Sequence, residues 1–437
     1  MPESPVNLSA YWRLLQTNRN FRLLWFAQIV SEIGDWLYAV AIYSLILDLT
    51  GSAKSMSFAF VLQVLPQFFA APTAGMLNDR ISRRQVMLIA DWSRAVTTFC
   101  MLFAQTRELL WLLYVLLFLE TVFWALFEPA HTAVIPNITS ENRERLVANG
   151  LASTTWSFTL AIGSALGGVL AAFFGRNAVF IINSLSFVAS ALLIRQMRFE
   201  EPHLADMPPM KAREMVDFSP MLEGLRYVKK DPRMLATMFV KCGLSTMGSN
   251  WVLLPIFGKN IFPVTVRGLD PRSSGMLGMS LLMGCRGIGA LLGPLVASRW
   301  TGHDPGRFRL AILFAFLIGS VGYLALGLSS TLLFACAAVV FAHSGGAMAW
   351  VFSTTLLQEQ TEDRFRGRVF SAEYAMSMLI LSAVSYSAGV LADEGIPVRT
   401  LATWTGYLIL LPALLWGLAQ RLWQEKPAQI PRQAKAE

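Results

Sequence analysis

Charge is what this chain has least of. Only 15% of its 437 residues are Asp, Glu, Lys or Arg, against 54% hydrophobic residues, whereas a soluble globular domain carries about 25% charge. The longest polar interval, Arg198 to Pro232, is too short for a soluble domain of ordinary size. Cysteine is also scarce. Cys100, Cys242, Cys285 and Cys336 stand singly in apolar runs, without the paired spacing of a disulfide framework or a metal site. Free buried thiols and no metal are therefore expected. No glycine-rich phosphate loop is present, so ATP is not expected as the direct energy source. No nucleophile–base spacing appears, so neither an enzyme nor a bound cofactor is expected. Met1–Asn20 lacks an apolar core followed by a small-residue cleavage site, and the first apolar run should act as an uncleaved insertion signal.

What the chain has is apolar runs, each long enough for a ~30 Å hydrocarbon core. Twelve are expected: Arg22–Leu47, Met56–Leu77, Val86–Gln105, Leu109–Val134, Val147–Phe173, Ala178–Met197, Met234–Phe257, Met276–Ala297, Leu310–Leu328, Leu332–Leu356, Val369–Leu391 and Leu401–Leu422. The expected fold class is an all-α membrane protein of twelve transmembrane helices in two six-helix halves, residues 1–197 and 234–437, joined by a linker at 198–233. If the termini are cytoplasmic, 26 Lys and Arg fall on that side, 7 outside and 3 inside helices. This is the positive-inside asymmetry. The net charge of +8 thus sets orientation and needs no nucleic acid. Within the linker, Pro202, Pro208 and Pro209 precede Phe218–Val228, where Met221, Leu222, Leu225 and Val228 share one side of a short interfacial helix.

Between the second and third runs lies Gly75-Met-Leu-Asn-Asp79-Arg80-Ile-Ser-Arg83-Arg84. Its glycine, carboxylate and three arginines, at this spacing, resemble the loop signature of the major facilitator superfamily. Ser82 stands where that family usually has a second glycine. The fifth run holds Gly163-Ser164-Ala165-Leu166-Gly167-Gly168, which resembles the family's antiporter signature with serine in place of proline. The resemblance implies a major facilitator fold with cargo bound near the bilayer midplane between the halves. It implies that Gly75, Asp79, Arg80, Arg83 and Arg84 form a conformational switch against the start of the eleventh span, about Arg368–Ser371. Gly163, Gly167 and Gly168 would close a helix seam against leak. Leu49-Thr50-Gly51-Ser52-Ala53, Glu128-Pro129-Ala130 and Glu223-Gly224-Leu225-Arg226-Tyr227 resemble the macrolide-efflux branch, which also contains siderophore exporters and, more distantly, lysophospholipid transporters.

Each ionisable residue inside a span costs several kcal/mol at the bilayer centre, on the order of ~2.5–3.5 on translocon scales, and so invites a functional hypothesis. Gln28, Glu32 and Asp35 share one face of the first span, and Glu120, Trp124, Glu128 and His131 share one face of the fourth. Glu32, Asp35 and Glu120 are the expected proton-coupling residues. Gln28, Trp124, Arg286 and His343 are expected beside the cargo. Asp91 and Arg94, three residues apart, are expected to pair and support the switch loop. Lys241 should reach an interface along its stem, and Glu128, His131 and Glu373, near helix ends, should reach water or a loop arginine.

The expected function is proton-coupled export of a small amphipathic compound, drug-like or siderophore-like, across a bacterial cytoplasmic membrane, with both termini cytoplasmic. Its expected partners are the cargo, protons and the bilayer, and the fold should work as a monomer. The alternatives are a lipid or lysophospholipid carrier of the same fold and, from another class, a membrane sensor or assembly partner that transports nothing.

Overall fold

The computed structural model describes residues 8–139, 142–201, 217–302 and 304–423, which contain helices and no strand. In order they are α1 (Leu8–Thr17), α2 (Arg19–Thr50), α3 (Ala53–Arg80), α4 (Arg83–Cys100), α5 (Leu110–Ile138), α6 (Asn142–Arg195), α7 (Ser219–Val228), α8 (Pro232–Leu244), α9 (Asn250–Ile256), α10 (Pro271–Thr301), α11 (Pro305–Leu328), α12 (Leu332–Gln360), α13 (Asp363–Asp393) and α14 (Val398–Ala419).

Local chemistry sets where they begin and stop. Asn18, Ser52, Ser82 and Thr331 each accept a backbone N–H of the following helix through the side chain. Asp231, Asp270 and Asp304 do the same with proline next in line, so the cap is followed by a residue whose missing N–H costs nothing there. These polar caps lie outside the apolar runs, which is why most helices extend about a turn beyond them. Ser82 has φ −55° and caps α4 through Gln85 N–H. The turn therefore has no need of a second glycine, and serine serves it.

Nine helices among the described residues are long and apolar enough to cross a membrane, or ten if Ala53–Ala70 and Pro72–Asn78 of α3, bent by 51°, count as one. Four of the twelve expected runs differ from simple spans. Pro72 bends α3 by removing a ladder hydrogen bond. α6 carries two expected runs in one 54-residue element, interrupted at Gly175, whose φ of 81° is open to glycine and costly to other residues. The run Met234–Phe257 is divided into α8 and α9 by a 3-10 turn at Ser245–Ser249.

Helices α2, α4, α5 and α6 pack around Phe21, Met87, Val134 and Ile194, with Leu14 of α1. Helices α8–α14 pack around Leu253, Phe316, Tyr323 and Trp416. A further cluster joins the groups, with Leu37, Tyr43, Met56 and Phe60 meeting Val252, Met276, Met279 and Met378. Outward, large apolar side chains such as Phe69, Phe103, Trp111, Leu333 and Leu414 are exposed. A monomer in water rarely tolerates such a surface, whereas a bilayer matches it. The helix expected at Phe218–Val228 forms as α7 and docks on α13: Gly224 lies against the Arg368 carbonyl, and Tyr227 stacks on Phe365 at 4.2 Å.

Glycines on α6 let three helices touch at backbone distance. A Cβ on Gly167 would sit 2.6 Å from the Leu37 carbonyl oxygen and 2.9 Å from its Cα. One on Gly168 would meet Ser280 Oγ at 2.1 Å and Met276 O at 2.6 Å, and one on Gly163 would meet Trp36 Cβ at 2.6 Å. Gly163 and Gly167 thus admit α2, and Gly168 admits α10. Backbone cannot swing aside as a side chain can. Gly167→Ala should destabilise the protein by about 1–3 kcal/mol, read as a lower melting temperature in detergent, while alanine at exposed, unobstructed Gly367 should leave that temperature equal or slightly raised.

Candidate functional site

The middle of α2 gathers polar groups because three other helices deliver theirs to it. Arg94 of α4, about 1% exposed, donates from Nη2 to Asp35 at 2.7 Å and from Nε to Glu120 of α5 at 2.9 Å. Its guanidinium also lies 4.0 Å over the Phe187 ring. Two carboxylates thus share one cation. One turn away, Glu32 accepts from Gln28 Nε2 at 2.8 Å and from Thr159 Oγ1 of α6 at 2.7 Å. No cation among the described residues is paired with it. Asp91 accepts from Ser190 at 2.6 Å.

Beside this network is an aromatic wall. Trp251 of α9 stacks on Phe60 of α3 at 4.5 Å and on Trp36 of α2 at 6.2 Å. Arg286 of α10 lies with its guanidinium 3.9 Å from the same indole. Tyr43 donates to Gln63 at 2.8 Å and Tyr374 to Gln67 at 2.6 Å. Asp35, Trp36, Gln63, Gln67, Arg286 and Tyr374 lie within long helices and Trp251 at the start of α9, yet all are partly accessible. These residues come from both helix groups, α2–α6 and α8–α14, where the two meet. A second buried ion pair lies within the latter group: Lys241 donates to Glu373 at 2.6 Å, with its ammonium 4.4 Å over Trp350.

The two ends of the bundle differ. At one, Asp48 of α2 pairs with Arg176 of α6, with Lys259 beyond α9, and with Arg272 of α10 at 3.4 Å. Nearby, Asp393 of α13 accepts from the Ala53 and Lys54 N–H groups at 2.7 and 3.2 Å, holding the start of α3. The Asp48 end is therefore bridged between the helix groups. At the other, basic end, Arg83 donates to Ala133 O and Asn137 Oδ1, each at 2.7 Å, and Arg84 donates to Met197 O at 2.9 Å.

Several expectations change with this geometry. Arg94 pairs with Asp35 and Glu120 instead of Asp91, because α4 turns Arg94 towards α2 and α5 while Asp91 faces Ser190 of α6. Arg83 and Arg84 clasp α5 and the end of α6, their own neighbours, and leave the start of α13 to α7: Arg368 pairs with Glu223 at 2.9 Å. Lys241 stays buried instead of reaching an interface, and Glu373 is its buried partner instead of meeting water. His131 is buried and stacks on Phe127. Arg80 ends α3; the side chains of Gly75 and Asp79 lie outside the described residues, as do Pro202, Pro208 and Pro209. Gln28 is buried on Glu32, His343 is buried with its Nε2 3.3 Å from the Tyr323 hydroxyl, and Trp124 is partly accessible. Ser164, in the place of the antiporter proline, is buried within continuous helix.

Trp251 and Asp48 were missed. Asp48 offered a signal, as an acid at the end of an apolar run. Trp251 offered none, since a tryptophan in an apolar run reads as lipid-facing or core until its neighbours are known.

The sequence profile of the Major Facilitator Superfamily matches residues 24–385. The chain is 25% identical over 434 residues to the uncharacterized MFS-type transporter YfiS of Bacillus subtilis (strain 168), covering 97% of this chain and 98% of that protein. It is 26% identical over 392 residues to macrolide efflux protein A of Streptococcus pyogenes, covering 88% and 90%. Its fold resembles that of a bacterial homolog of the human lysosomal transporter Spinster in an inward-facing and unoccupied conformation, with TM-score 0.68, 16% identity, and coverage of 97% of this chain and 100% of the other.

Proposed function

The chain belongs to the Major Facilitator Superfamily, and from that premise we propose that it is a proton-coupled exporter of a small amphipathic compound. It is a transport protein and not an enzyme. The export reading draws on its likeness to a macrolide efflux protein. Coupling rests on one observation: an excess of carboxylates on the central face of α2 and α5. Asp35 and Glu120 share Arg94, and Glu32 has only neutral hydrogen-bond donors. Either carboxylate of the triad can be neutralised by a proton while the other still pairs Arg94. Glu32 can be neutralised without stranding any cation. A site that carries protons needs that freedom, because a carboxylate locked one-to-one to a cation, as Glu373 is to Lys241, gives up its partner each time it is protonated.

The remaining elements fit alternating access by twelve spans in two halves, residues 1–197 and 234–437, joined by the linker with α7. Gly175 divides α6 into two spans, α3 is one bent span, and α8 with α9 is one broken span. The 26-to-7 split of basic residues supports a cytoplasmic position for the basic end and both termini. The Asp48 clasp would then close the outer side, which suits a state open to the cytoplasm. Closure of the basic end would bring Arg80, Arg83 and Arg84, with Gly75 and Asp79, towards α13, with Asp91 and Arg94 behind them. Cargo would lie between Trp251, Arg286, Trp124 and the α2 face. The bilayer is its setting, a bacterial inner membrane, and one chain suffices for the cycle.

The test is purified protein in proteoliposomes under an imposed pH gradient, screened with macrolides, siderophores and lysolipids. Cargo should move against the proton flow and stop when the gradient is collapsed. Transport unaffected by the pH gradient but driven by a Na⁺ gradient would overturn proton coupling.

A further inference from the structure

Three cations sit inside the helix bundle between its ends: Arg94, Lys241 and Arg286. The protein neutralises two of them. Arg94 has Asp35 and Glu120, and Lys241 has Glu373. Arg286 has no carboxylate partner among the described residues, and its Nη1 is buried without a hydrogen-bond partner. Placing an arginine away from water without an acceptor is costly, and an unpaired buried charge is the most expensive polar group a fold can keep. The polar groups close enough to feel its charge are Tyr43, Tyr323 and His343, and each is engaged elsewhere. Tyr43 donates to Gln63, and Tyr323 and His343 face each other.

The guanidinium is nonetheless held in place. Its face rests on Trp251 at 3.9 Å, a cation–π contact that fixes its plane. An arginine stacked on its face keeps its donors on its edge, and that edge is a fork that matches a carboxylate or another oxyanion with two parallel hydrogen bonds. Arg286 is only partly buried and lies against Trp251 where α10 meets α9, and it is there that an anion would reach it. Trp251, Phe60 and Trp36 continue from it as a wall of stacked rings, an apolar surface for the rest of a molecule.

We propose that Arg286 and Trp251 form the anion subsite of the cargo chamber, and that the cargo is an organic oxyanion, a carboxylate or its like, on an apolar or planar body. This deepens the exporter reading and rests on it for the word cargo. The ligand supplies the acceptor that the fold withholds. A purely cationic amphiphile is disfavoured at this point, since it would place a second positive charge beside an unneutralised first.

The experiment uses the full chain in detergent with a matched probe pair, 2-naphthoate and its neutral isostere 2-naphthamide, followed by titration calorimetry and by melting temperature. Wild-type protein should bind the acid about tenfold or more tightly than the amide, the range expected for a hydrogen bond to a charged group. Arg286→Gln should remove that preference, and Arg286→Lys should keep part of it, having charge but no fork. Without ligand, Arg286→Gln should melt at or above wild type, because an uncompensated charge has been removed. Equal or absent binding of acid and amide by wild type overturns the proposal. So does an Arg286→Gln protein that melts lower yet retains the acid preference, which marks Arg286 as a packing element only. The two readings fail separately. Acid preference without gradient-driven transport in proteoliposomes sinks the proton-coupled exporter and leaves the subsite, whereas gradient-driven export indifferent to Arg286→Gln sinks the subsite and leaves the exporter.

Discussion

Glu32→Gln protein in proteoliposomes should export nothing in response to an imposed pH gradient, yet still exchange cargo across the membrane when no gradient is present. The substitution keeps the size of the side chain and one oxygen, so Thr159 and Gln28 can still find a partner. What it removes is the ability to change charge. Glu32 lies at mid-helix, partly accessible, with neutral donors on both oxygens. Asp35→Asn should give the same loss of gradient-driven export, for a different reason. It leaves Arg94 paired one-to-one with Glu120, and the triad no longer has a carboxylate to spare. At least one of the two variants should retain passive exchange. Export at the wild-type rate by both neutral variants would move the coupling site away from α2.

Loss of Arg94 should have the largest effect on stability. Arg94→Gln removes the sole cation between Asp35 and Glu120 and also the plane that rests on Phe187. Breaking a buried pair by deleting one partner costs about 3–5 kcal/mol, because the charge left behind is uncompensated. The expected result is a strongly lowered melting temperature in detergent and poor recovery of monodisperse protein. The diagnostic is rescue. Adding Asp35→Asn and Glu120→Gln to Arg94→Gln replaces a charged triad by neutral groups of similar shape, and much of the lost stability should return. If the triple variant melts as low as the single one, the penalty comes from packing around Phe187 and not from stranded charge.

The sequence carried the helices well and the partners poorly, and the reason is physical. A run of apolar residues fixes its own length and its own caps, so the ends of α2, α10 or α12 were legible to within about a turn. The face shared by Gln28, Glu32 and Asp35 was legible too, because it follows from helical spacing within one segment. Which cation meets Asp35 depends on the rotation of α4 against α2 and α5, and no local pattern encodes that. Asp91 is nearer to Arg94 in sequence, yet Glu120 and Asp35 are its partners. The same holds for Lys241 and Glu373, which are 132 residues apart. The arginines after Asp79 show a further gap: their spacing names the loop, but it does not say in which conformational state the loop is seen.

The Asp48 cluster bears on how fast such a molecule can change shape. If each helix group moves as a unit, opening at that end carries Lys259 and Arg272 away from Asp48, while Arg176 travels with it. The carboxylate is handed from a crowd to a single companion and is never left alone. The two departing cations belong to the connection between α9 and α10 and the first turn of α10, where water can meet them as they leave. A carboxylate whose only partners lay on the other side would be stranded by that motion, and its desolvated charge would stand at the top of the activation barrier. Under that motion the barrier would be divided into smaller steps. Such a cluster would hold the end shut and still let go without stranding its carboxylate.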